Sequence, residues 1–76
     1  MPSTITRDFL TLPTRFRVSI VRSMGVLSEL EIDKLLNPLA EAEVLRVFFH
    51  RVSEGNLQEK LKIEVSEAKS QFKGYG

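Results

Sequence analysis

Nine consecutive residues, Val44-Leu45-Arg46-Val47-Phe48-Phe49-His50-Arg51-Val52, form the densest apolar run of the chain and dictate what it can fold into. On a wheel of about 100° per residue, Val44, Leu45, Phe48, Phe49 and Val52 share one wide sector. Arg46 and His50 lie opposite, and Arg51 borders the sector. This is an amphipathic helix whose apolar side other elements must cover. With 76 residues the chain is one domain at most. It contains no cysteine, so no disulfide or thiolate metal site can staple it, and oligomerisation is the remaining route to extra stability.

Start and stop signals around this run predict an all-α fold, a compact bundle of four main helices near 13–24, 28–37, 39–54 and 56–73. A short helical turn through Ile5, Phe9 and Leu10, capped by Ser3 or Thr4, precedes them and ends at Pro13. Residues 14–22 carry two patterns. Phe16, Val18 and Ile20 alternate with polar residues as in a strand, whereas Phe16, Ile20, Val21 and Met24 make a helical stripe. Helix is favoured because the chain offers no partner strand and a lone strand leaves its backbone unpaired. Gly25 then falls at the left-handed cap position.

Ser28-Glu29-Leu30-Glu31 is a capping box, with Leu27 and Ile32 placed to staple the helix entry. Ile32, Leu35 and Leu36 form the stripe expected to be buried, and Asn37-Pro38 ends the helix. Pro38 starts the central helix. Gly55 is expected as its left-handed cap, with Asn56 capping the last helix. Leu57, Leu61, Val65, Ala68 and Phe72 give that helix one seam. The short turn at Gly55-Asn56 folds it back as a hairpin, so that the seam should cover Phe48 and Phe49. Gly74-Tyr75-Gly76 is the expected frayed tail of the single 1–76 domain.

A composition of 42% hydrophobic and 28% charged residues is that of a globular domain, and no stretch is apolar enough to span a membrane. The net charge of +1 is too weak to imply nucleic acid by itself. Its distribution is uneven. Residues 1–25 carry four arginines against Asp8, residues 26–55 are net acidic, and residues 56–76 are weakly basic with lysine only. The Arg- and Ser/Thr-rich first 25 residues also match the composition of a mitochondrial transit peptide. Cytoplasmic localisation is the main expectation.

His50 is the sole histidine, and it lacks a nucleophile or carboxylate pair in catalytic spacing. A surface histidine bonded to Glu54 is expected, with no catalytic residue, metal site or cofactor. Arg15, Arg17 and Arg22 are candidate contacts to nucleic acid or to an acidic partner. The opposing expectation is that they pair with Glu29, Glu31, Asp33, Glu41 or Glu43 of this chain or of a second copy. A helix-turn-helix is disfavoured because its recognition helix would begin with Glu41 and Glu43, which repel phosphate. Val47, Phe48, Phe49 and Arg51 are the candidate partner-binding residues. The functional expectation is a non-enzymatic protein-interaction or regulatory module that self-associates through an apolar helix face. The alternative is a small nucleic-acid-binding regulator.

Overall fold

The computed structural model describes residues 4–74, which form five helices and, among the described residues, no strand. These are α1 (Thr4–Thr11), α2 (Thr14–Met24), α3 (Glu29–Lys34), α4 (Glu41–Glu54) and α5 (Gln58–Gly74). The Cα radius of gyration of 11.8 Å matches the roughly 11–12 Å expected for one packed domain of this length. Ser3, expected as a cap, and Tyr75 and Gly76 of the expected tail lie outside the described residues; α5 itself runs to Gly74.

The N-terminal element is more than the turn expected from its sequence. α1 is a full helix, and its Phe9 is completely buried. The Phe9 ring stacks on Phe48 at a centroid distance of 5.5 Å and meets Phe49 edge-on at 5.4 Å. An α1 ring thus packs directly on both Phe48 and Phe49, a cover not expected from the sequence, while α5 also contacts α4 and its Leu61 shares a hollow with Phe49. The seam of α5 buries Leu61, Val65 and Ala68 chiefly against α2 and α1, whereas Phe72 stays 44% exposed beside Phe16.

Residues 14–24 are helical, which settles the strand alternative. Pro13 is the N-cap, its extended ψ of 153° turning its carbonyl to accept from the N–H groups of Phe16 and Arg17. Gly25 closes the helix at φ 69°, a conformation a Cβ would penalise. Residues 4–24 place Phe9, Leu12, Ile20, Val21 and Met24 in the core, so the segment with transit-peptide composition is an integral part of the folded domain.

The capping box of α3 is present as drawn from the sequence. Ser28 Oγ accepts from Glu31 N–H at 3.3 Å, and Glu31 Oε1 accepts from Ser28 N–H at 2.8 Å. Leu27, Ile32 and Leu35 are buried. The helix stops at Lys34 rather than Asn37, and turns carry the chain to α4, which begins at Glu41 rather than 39. Leu39 N–H donates to Asn37 Oδ1 at 3.0 Å, a local turn that competes with helix over these residues. Leu36, expected in the core, therefore leaves the stripe and is 67% exposed.

The α4–α5 connection corrects the cap assignment by one residue. Gly55 has φ −86°, and the left-handed residue is Asn56 at φ 55°. Leu57 N–H donates to Val52 C=O at 2.9 Å and Asn56 N–H to Ser53 C=O at 3.2 Å, the paired bonds of a Schellman motif. Asn tolerates this conformation better than any β-branched residue. Asn56→Val is expected to destabilise the fold by about 1–2 kcal/mol, with Asn56→Gly at least as stable as the parent. Urea midpoints decide it, and a Val variant with an unchanged midpoint would contradict the left-handed assignment.

Candidate interaction surface

The arginines of α2 face acidic residues of the same chain. Arg17 Nη1 lies 3.2 Å from Glu41 Oε2 at the start of α4, and its Nη2 donates to Thr14 Oγ1 at 3.0 Å. Arg22 Nη1 lies 2.7 Å from Glu29 Oε1 at the start of α3. Arg15 sits over the Phe16 ring at 5.1 Å. Carboxylates in the first turn of a helix also suit its positive end, so both Arg-bound acids serve two interactions. Arg17 and Arg22 are thus each held by a carboxylate of the same chain.

Arg51, a candidate partner contact, is likewise engaged within the fold. Its Nη1 donates to Val26 C=O at 2.9 Å and to Glu31 Oε1 at 2.8 Å. One guanidinium thus ties the C-terminal end of α4 to the loop before α3 and to its capping box. The Arg51 hydrogen bond first, and the Ser28 N–H second, lower the Glu31 pKa from 4.5 to about 2. Between these values the unfolded chain binds the proton and the folded chain does not, so stability rises with pH there. This contribution is full above the ordinary value and is lost as pH falls toward 2. Glu31→Gln is expected to lose less stability than the parent between about pH 6 and about pH 3. Equal losses in urea titrations at the two pH values would contradict the assignment.

Phe48 is fully buried and offers nothing to a partner, which removes it from the candidate binding residues. Val47 and Phe49 are half-buried and line different hollows on the two sides of α4. Val47 borders a cavity of about 310 Å³ between α3 and α4, with Ala40 and Val44. Phe49 separates two hollows under α1. One, of about 300 Å³, is lined by Ile5, Val52 and Leu61; the other, of about 430 Å³, by Leu10, Pro38, Ala42, Leu45 and Arg46. Arg17 and Glu41 close one side of the larger hollow with their ion pair.

Three leucines in this part of the chain are bare. Leu30 is 76%, Leu36 67% and Leu39 97% exposed, all within the α3 segment and the turn that follows it. Sequence reasoning placed Leu36 in the core and passed over Leu30 and Leu39. A signal was present, since Leu30 lies off the Ile32–Leu35 stripe and Leu39 follows the helix stop at Pro38. Single exposed leucines are ordinary, whereas a contiguous apolar patch marks an interaction surface.

His50 Nε2 lies 3.1 Å from Glu54 Oε1 on the open surface, and none of these three hollows includes it. Among the described residues no helix is long and apolar enough to cross a membrane, and no group of three His, Asp or Glu is placed to hold a metal ion. Comparison with protein-family models, with curated proteins and with solved structures finds no match to this chain.

Proposed function

We propose that the chain is a non-enzymatic, cytoplasmic interaction module that self-associates through the apolar surface at the α3–α4 corner. The observation that carries this reading is the exposure of Leu30, Leu36 and Leu39, in a stretch whose Asn37, Pro38 and Ala40 line the hollows that Val47 and Phe49 border. Burying one leucine side chain is worth about 1.5–3 kcal/mol, so covering this corner supplies a substantial driving force for association. A non-enzymatic role is favoured because His50 is paired with Glu54 on the open surface, away from the hollows. Nucleic-acid binding through Arg15, Arg17 and Arg22 is the weaker reading, because Glu41 and Glu29 already hold two of these side chains.

Static light scattering over the micromolar range tests the proposal. The expected result is a mass above that of one chain which falls on dilution and is little changed by moderate salt, as suits apolar contact. A strict monomer throughout the range would remove self-association. Duplex DNA binding that weakens steeply with salt would favour the nucleic-acid reading instead.

A further inference from the structure

We draw no further inference here: the strongest candidate, the apolar hollow between α1 and α4 walled by Leu10, Leu45 and Phe49, carries none because nothing in the structure shows what covers it.

Discussion

Phe48→Ala is expected to cost about 3–5 kcal/mol, the range for deleting a buried aromatic ring and leaving its space unfilled. Phe48 has no solvent exposure and packs against both Phe9 and Phe49, at centroid distances of 5.5 and 5.3 Å. A domain this small holds only about 3–5 kcal/mol of net stability, so the substitution is expected to unfold it near room temperature. Phe48→Leu, which leaves a smaller void, keeps the effect measurable by urea denaturation. A loss below about 1 kcal/mol for the Ala variant would place the ring at the surface, where substitutions matter little.

Phe9→Ala is expected to cost as much, about 3–5 kcal/mol, although the residue sits in a short polar helix at the edge of the chain. An isolated helix of this length is not stable in water, so α1 depends on docking. Its docking rests mainly on Phe9, assisted by Ile5 packed against the core and by the Lys69–Asp8 ion pair at 3.4 Å. The expected result is a fall in urea midpoint together with loss of amide-exchange protection across α1. Because the two rings touch, the double variant Phe9→Ala/Phe48→Ala is expected to lose less than the two single losses combined. An unchanged midpoint for Phe9→Ala would mean that α1 is not part of the core.

The elements that local chemistry specifies were legible in the sequence. The Ser28–Glu31 capping box, the left-handed Gly25 and the buried Val44, Leu45, Phe48 and Val52 of α4 follow from spacing alone. What escaped depended on contacts between distant segments or on close competition between neighbours. Nothing within Thr4–Thr11 announces that Phe9 completes an aromatic cluster with two rings some forty residues away. At Gly55-Asn56 both residue types accept positive φ, and the Schellman bonds place it on Asn56. The turn at Asn37 shortens α3 and turns Leu36 outward, which helical periodicity does not anticipate.

The candidate surface was legible only in part. The sequence pointed to the flank of α4, and Val47 and Phe49 do line hollows there. Adjacent residues on a helix differ by about 100°, so Phe48 could be buried while both neighbours stayed at the margin. The separation of paired from unpaired arginines was not legible. It depends on whether Glu29, Glu31 and Glu41 reach Arg22, Arg51 and Arg17 across helix boundaries, and these pairings leave Arg46 as the cation of the hollow.

The most direct test of the interaction surface is an isotope-filtered NOE experiment on an equimolar mixture of labelled and unlabelled chain. Self-association through this corner predicts contacts from the methyl groups of Leu36 and Leu39 of one copy to the other copy, with tumbling of a particle heavier than the monomer. Monomer tumbling with no contact between copies at near-millimolar concentration would contradict it.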